Sequence, residues 1–202
     1  MSSLRVVPLS STHASISLDL LDQAFAHDPN LGWYLFSQRA GYAQRRRDYL
    51  TGYLHFHQLN NLPVLGAWRG DELLGLSFFS SGSDITDSAS LDALGQHISQ
   101  HCGADCLARL DQLLAAFDQR LQRPDLACIE FIAVAPGHQG QGIGSALLSA
   151  TLTQLRNHGA PGAALETGEA RNLALYQRHG FQAAATLALP GLLQHYLQQI
   201  WI

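Results

Sequence analysis

The run V-A-P-G-H-Q-G-Q-G-I-G, Val134 to Gly144, lies between two patterned segments. Before it, Ile129 to Val134 is a mostly apolar, β-branched stretch that reads as a strand and gives way at Pro136. After it, Ser145 to Leu155 carries helical spacing. A strand, a glycine loop and a helix in that order present backbone N–H groups to an anion. Glycine accepts positive φ and lets a phosphate come close, and the helix adds the positive end of its dipole. The segment therefore reads as an anion cradle.

Spacing separates the loops that work in this way. A P-loop ends in Gly-Lys-Ser/Thr, and this chain has no lysine. A dinucleotide fingerprint needs Gly-x-Gly-x-x-Gly. Gly140 and Gly142 fit it, but Ser145 stands in the third place; Glu166 lies where a ribose-binding acid would sit, so a Rossmann-type oxidoreductase stays open. The third pattern, Gln/Arg-x-x-Gly-x-Gly/Ala, is filled by Gln139, Gly142 and Gly144. Led by Val134 and Pro136, it resembles the acetyl-CoA loop of the GNAT superfamily of N-acetyltransferases.

A second block carries the same resemblance. A short strand, Ala163 to Glu166, is followed by N-L-A-L-Y-Q-R-H-G-F, Asn172 to Phe181, which is similar to the family's last motif. There an Asn and a Tyr on one helix meet the cofactor. Asn172 and Tyr176 are four residues apart, so a helix over Arg171–His179 puts both on one face. Gly180 closes that helix and Phe181 opens the next strand. One position departs from the pattern: many members carry an Asn seven residues before the Tyr, where this chain has Glu169. The segment Ala24 to Tyr34, with Leu165-Glu166-Thr167, further resembles the branch that includes puromycin N-acetyltransferase.

The resemblance implies a single α/β (α+β) domain of GNAT type over residues 1–202, with a mixed, mostly antiparallel central sheet flanked by helices. It implies acetyl-CoA as co-substrate. The backbone of Ile132, Ala133 and Val134 would hold the pantetheine arm, where two strands splay apart. Gln139, Gly140, Gln141, Gly142, Ile143, Gly144 and Ser145 would hold the pyrophosphate, with Asn172 and Tyr176 completing the site. An amine would attack the acetyl carbon directly in a ternary complex. That step needs a base for the amine and an acid for the departing thiolate. Tyr176 is the expected acid, with simple packing on the sheet as its alternative.

Strand parity points to the base. Cys128, Glu130, Ile132 and Val134 fall on one face of their strand, and a carboxylate among apolar residues needs a wet cleft or a partner. Glu130 is the expected base, and Glu166 on the neighbouring strand is the alternative. Either could instead only hold a cationic substrate. The substrate is expected to be a small molecule with a primary amine. Asp28, Trp33 and Tyr34 read equally as its pocket or as helix-cap and core residues. Two further functions stay open: a non-catalytic acyl-CoA-binding or sensing module, and a peptide or protein N-terminal acetyltransferase.

Composition agrees with one globular domain. The chain has 202 residues, 47% of them apolar, and a net charge of −4 from 16 acids against 12 arginines, so a nucleic-acid-binding surface is not expected. Met1 to Arg5 has no signal-peptide pattern, and no apolar run approaches the roughly 20 residues of a membrane span. Three cysteines suggest reduced thiols and a cytoplasmic protein with no membrane partner; a homodimer is an open option. H-x-x-x-H-C-x-x-x-C, at His97, His101, Cys102 and Cys106, is read without a metal, because one helix rarely offers four ligands to one ion. His138 is expected to face solvent, and Arg45-Arg46-Arg47 to form a solvated helix face.

The remaining elements follow from periodicity. Strands are expected at Leu4–Leu9, Gln182–Leu187 and His195–Ile202, the last two joined across Pro190-Gly191. Leu62–Arg69 and Glu72–Ser80 form a hairpin turned at Gly70-Asp71. Helices are expected over Ser15–Ala26 and Arg39–Leu59, and one or two over an insertion at Leu91–Gln122. Ser80–Ser90 reads as a loop.

Overall fold

The central strands are apolar on both faces, so both faces of their sheet must be covered. A computed structural model describes residues 3–81, 88–118 and 125–201 and shows how this is done. In chain order the elements are β1 (Leu4–Pro8), α1 (Ala14–Ala24, entered through a 3₁₀ turn at Ser11–His13), α2 (Pro29–Tyr34), α3 (Tyr42–Leu59), β2 (Val64–Arg69) and β3 (Glu72–Ser80). Then come α4 (Ser88–His101), α5 (Ala104–Asp118), β4 (Ala127–Val134), α6 (Ile143–Asn157), β5 (Gly162–Thr167), α7 (Leu173–Arg178), β6 (Gln182–Leu189) and β7 (Leu192–Ile200). The strands form one seven-stranded sheet in the order β1-β2-β3-β4-β5-β7-β6. β4 and β5 are parallel and the other neighbours antiparallel, as expected for a mixed sheet.

Two cores lie on opposite faces of the sheet. One gathers Leu21 of α1, Leu50 and Phe56 of α3, Phe78 and Phe131. The other sets Leu147, Leu148 and Leu152 of α6 against Phe79, Ile129 and Leu165. The insertion forms two helices, α4 and α5; Gln122, residues 82–87 of the expected loop, and Ile202 lie outside the described residues. No described helix is long and apolar enough to cross a membrane.

Several expectations need correction. α2 was not foreseen as a helix, although its signal is explicit: Asp28 caps it by accepting from Leu31 N–H at 2.9 Å, and Pro29 occupies the first turn. β7 begins at Leu192, before the expected His195, because Leu192 and Gln194 also turn inward. The arginine triplet is not a solvated face. Arg45 donates to the carbonyls of Leu35, Phe36, Arg39 and Ala40. Arg46 is buried against Asp22 at 2.8 Å, and Arg47 meets Asp19 at 2.7 Å. The His/Cys cluster packs the insertion on α3. His97 Nε2 lies 2.8 Å from the Asp48 carbonyl oxygen and the His101 ring stacks on His97, while the two thiols donate to the carbonyls of Arg45 and Cys102.

The parity assigned to β4 also fails, for a physical reason. Phe78 pairs with Phe131 but Phe79 pairs with Ile129, which leaves Glu130 as an extra residue. A bulge of this kind lets two successive residues share a face. Ile132 and Val134 therefore pack toward α6, whereas Glu130 reaches α3 on the other face.

Candidate active site

The β4–β5 pairing stops almost at once. Ala127 pairs with Ala163 and Cys128 with Ala164, and the strands then diverge. On its other edge β4 stays bonded, with Ser77 opposite Ile132, Leu76 opposite Ala133 and Gly75 opposite Val134. The edge of Ile132–Val134 that faces β5 thus opens onto a wedge whose backbone groups have no strand partner.

The glycine loop stands at the wide end of this wedge. Gly137, Gly140 and Gly142 have φ of 84°, 75° and 81°, which a side chain disfavours, and a Cβ on any of them would meet nothing within 4 Å. The N–H groups of Gln139, Gly140, Gln141 and Gly142 donate to no backbone acceptor among the described residues. Gly142 is the N-cap of α6, so Ile143, Gly144 and Ser145 add the free amides of a first helical turn. Open space ringed by unused donors at a helix start fits the diphosphate of an acyl-CoA.

Side chains brace the cradle. Gln141 accepts from Arg69 at 3.3 Å and donates to the Gly137 carbonyl at 3.4 Å. The Ser145 hydroxyl is 2.8 Å from His179 Nε2, which ties α6 to the end of α7. His138 is partly buried near Glu72 rather than freely solvated. Asn172 is half-buried at the N-cap of α7, preceded by a 3₁₀ turn, so the expected continuous helix from Arg171 starts at Leu173 instead. Glu169 pairs with Arg171 at 2.5 Å.

Tyr176 is buried on α7, with its ring 6.1 Å from that of Phe181. Burial pushes its phenol up to about 12, and the charge of Asp28 adds to the shift. The phenol therefore keeps its proton throughout the working pH range, as a proton donor requires.

The two carboxylates differ sharply. Glu130 is already engaged: its Oε1 accepts from Ser80 at 2.5 Å and its Oε2 lies 2.7 Å from Nε2 of the fully buried His57. Glu166 retains solvent-exposed surface, while surrounding protein crowds its carboxyl two residues past the last β4–β5 pair. Loss of hydration there pushes its carboxyl up to about 7, against the opposing influence of the nearby buried Gln194 amide, and Asp28 repels it further. Asp28 is itself pushed up to about 6 by burial, against its helix-cap bonds to Leu31 and Asn30, with Glu169 contributing repulsion. Near enough to feel their charge runs a series of aromatic rings from α2, α3 and β4. The rings of Tyr34 and Tyr49 are 5.2 Å apart, those of Tyr49 and Tyr53 5.0 Å, and those of Tyr53 and Phe131 5.3 Å. Burial drives all three phenols upward, and Tyr34 and Tyr53 both feel the charge of Glu166.

Among the described residues, then, Glu166 stands two residues past the last β4–β5 pair, the glycine loop follows the diverging end of β4, Asp28 acts electrostatically on Glu166 and Tyr176, and Glu130 is held in a His57–Ser80 network. His57, Ser80, Gln194, Tyr49 and Tyr53 escaped the sequence reading. They come from α3, β3 and β7, and none sits in a motif.

Over residues 30–181 the chain matches the model of the acetyltransferase (GNAT) family. This chain belongs to the GNAT family of acetyltransferases. Solved GNAT-type folds match nearly end to end. An arylalkylamine N-acetyltransferase 2 from Aedes aegypti is 14% identical with a TM-score of 0.70, covering 98% of this chain and 99% of the other. A protein described as histone acetyltransferase HPA2 and related acetyltransferase, from Corynebacterium glutamicum, is 17% identical with a TM-score of 0.68, covering 98% and 96%. An acetyltransferase from Salmonella typhimurium, solved with its cofactor acetyl-CoA, is 15% identical with a TM-score of 0.59, covering 98% and 94%. Identities this low establish the shared GNAT fold, and acetyl-CoA as the family's acyl donor agrees with the cradle described above.

Proposed function

We propose that this GNAT chain is a small-molecule N-acetyltransferase, moving the acetyl group of acetyl-CoA to a primary amine by direct attack, with Glu166 taking the amine's proton and Tyr176 protonating the departing thiolate. What supports this reading is the position of Glu166 on β5, two residues past the last β4–β5 pair where the strands diverge, with its carboxyl pushed up to about 7 by lost hydration. A base titrating near the working pH is half ionised there yet strong enough to accept a proton. Acetyl-CoA supplies the activated acyl carbon when bound. Gln139–Ser145 would hold its diphosphate through backbone N–H groups and Ile132–Val134 its pantetheine, with Asn172 and Tyr176 completing the site. Glu130 is the rival base. Both of its oxygens have protein partners, which speaks for a role in shaping the wedge.

Tyrosine rings along the wedge suit an amine with an aromatic or apolar body. The Aedes neighbour, named for arylalkylamines, lends this support, as do the segments that resemble the puromycin N-acetyltransferase branch. Three unpaired cysteines agree with a cytoplasmic location.

The reading is tested by incubating the protein with acetyl-CoA and a panel of amines, antibiotics, polyamines, amino acids and peptide N-termini, while recording released thiol. Amine-dependent thiol release with an acetylated product is expected. Slow hydrolysis that no amine accelerates would favour an acyl-CoA-binding module instead.

A further inference from the structure

The insertion helix α5 brings a charge to the approach to this wedge. A cavity of about 710 Å³ lies between α2, the first turn of α3, the β6–β7 turn and α5, lined among others by Asp28, Trp33, Tyr42, Arg46, Arg109 and Pro190. Its walls are fixed. Trp33 Nε1 donates to the Pro190 carbonyl at 2.9 Å, so the indole offers the cavity an apolar face. Arg46 is neutralised by Asp22 at 2.8 Å.

Among the described residues Arg109 has no such neutraliser. One nitrogen donates to the Trp33 carbonyl at 2.6 Å, and the guanidinium lies 3.9 Å from the Phe36 ring centroid and 4.9 Å from that of Trp33. No carboxylate of the described residues stands within ion-pair distance of it. A guanidinium locked between two rings keeps a fixed fork of donors, the arrangement that recognises a planar oxyanion. Asp28, also on the cavity wall, is the opposite charge. The first turn of α2, which Asp28 caps, packs on the end of β5: a Cβ on Gly168, two residues past Glu166, would lie 2.5 Å from Asn30 Oδ1 and 2.8 Å from Pro29 Cγ, so the cavity adjoins the strand that carries Glu166.

We propose that this cavity receives acceptors carrying a carboxylate as well as an amine, that is, amino acids with an apolar or aromatic side chain. The ammonium lies toward Asp28 and Glu166, the carboxylate takes the free donors of Arg109, and the side chain lies against Trp33. The insertion thereby becomes a specificity element. This inference rests on the acetyltransferase reading and narrows its substrate class.

The test measures kcat/KM for phenylalanine, phenylalaninamide and phenethylamine in the wild type, Arg109→Gln and Arg109→Lys, with acetyl-CoA saturating. Because the three amines differ in basicity, the change in their ratio between proteins is read rather than the ratio itself. Arg109→Gln should lower the ratio of phenylalanine to each carboxylate-free amine by roughly ten- to a hundred-fold, the worth of a charged hydrogen bond, and Arg109→Lys should retain part of it. Melting curves of the three proteins verify the fold. A proportional loss on all three amines would overturn the proposal, reducing Arg109 to a packing residue, as would a ratio that does not move. Turnover of amines without any such shift overturns this inference alone. Failure of every amine overturns the acetyltransferase reading and this inference with it.

Discussion

The two sides of the wedge are built from different materials. The cofactor side is backbone: one contiguous stretch, Ile132 to Ser145, supplies unpaired strand groups, loop amides and a helix start, and its glycines contribute by having no side chain. The acceptor side is made of side chains. Asp28 comes from the cap of α2, Tyr49 and Tyr53 from α3, Arg109 from α5, Glu166 from β5 and Gln194 from β7. Backbone recognition of a phosphate depends on local conformation and hardly on side-chain identity. Side-chain recognition depends on which residues the fold happens to bring together, and any of them can change without disturbing the cradle. On the proposed reading, one side would hold a common donor and the other would be free to choose an acceptor.

That contrast can be broken by substitution. The largest effect should come where the two sides meet. Tyr176→Phe should lower kcat by roughly 10²–10⁴ with little change in acetyl-CoA affinity, because a positioned proton donor acts on the step and not on binding. Unchanged kcat in a chemistry-limited assay would make Tyr176 a packing residue of α7. Next, Gly142→Val should weaken acetyl-CoA binding by about a hundred-fold or more, read by titration calorimetry. It puts a side chain into open space at positive φ and into the path of the diphosphate. Unchanged affinity would move the diphosphate elsewhere.

The smallest effect is on stability, and its sign follows from Glu166. The folded carboxyl titrates at about 7 against an ordinary 4.5, so the folded state holds this proton more tightly than the unfolded chain does. Its contribution is full below the ordinary value and is lost as pH rises through about 7. The melting temperature of the wild type should therefore fall across that window. Glu166→Gln should flatten the fall and melt higher than the wild type on the alkaline side. A parallel decline in both proteins would remove Glu166 as its source.

The same contrast explains what the sequence could say. The cradle, the β4–β5 motif pair and the sheet class were legible, because glycine spacing and strand periodicity are local signals. The place of Tyr176 on a helix was legible through its motif, and its role as the acid is a proposal. The bulge at Glu130 was not, since the register between Phe78 and Phe131 and that between Phe79 and Ile129 depend on a strand some fifty residues away, and one extra residue reverses parity. Nor was the partner of Glu130, because His57 reaches it from the last turns of α3. Arg45, Arg46 and Arg47 look like a wet face in one dimension, and carbonyls and acids from α1 and the α2–α3 connection cover them in three. Asp28 was half legible: Asp-Pro announces a helix cap, yet its exposure to Glu166 and Glu169 depends on β5 folding alongside.

The central claim is that Glu166, and not the partnered Glu130, takes the amine's proton. The pH dependence of kcat/KM for one amine, in the wild type, Glu166→Gln and Glu130→Gln, tests it most directly. The wild type should show a rising limb that inflects near 7, from Glu166. Glu166→Gln should lose that limb, run at least about tenfold slower at neutral pH, and recover at high pH where free amine is abundant. Glu130→Gln should keep the limb. If instead the limb survives in Glu166→Gln and vanishes in Glu130→Gln, the proton passes to Glu130 and Glu166 is only an anchor for the cation.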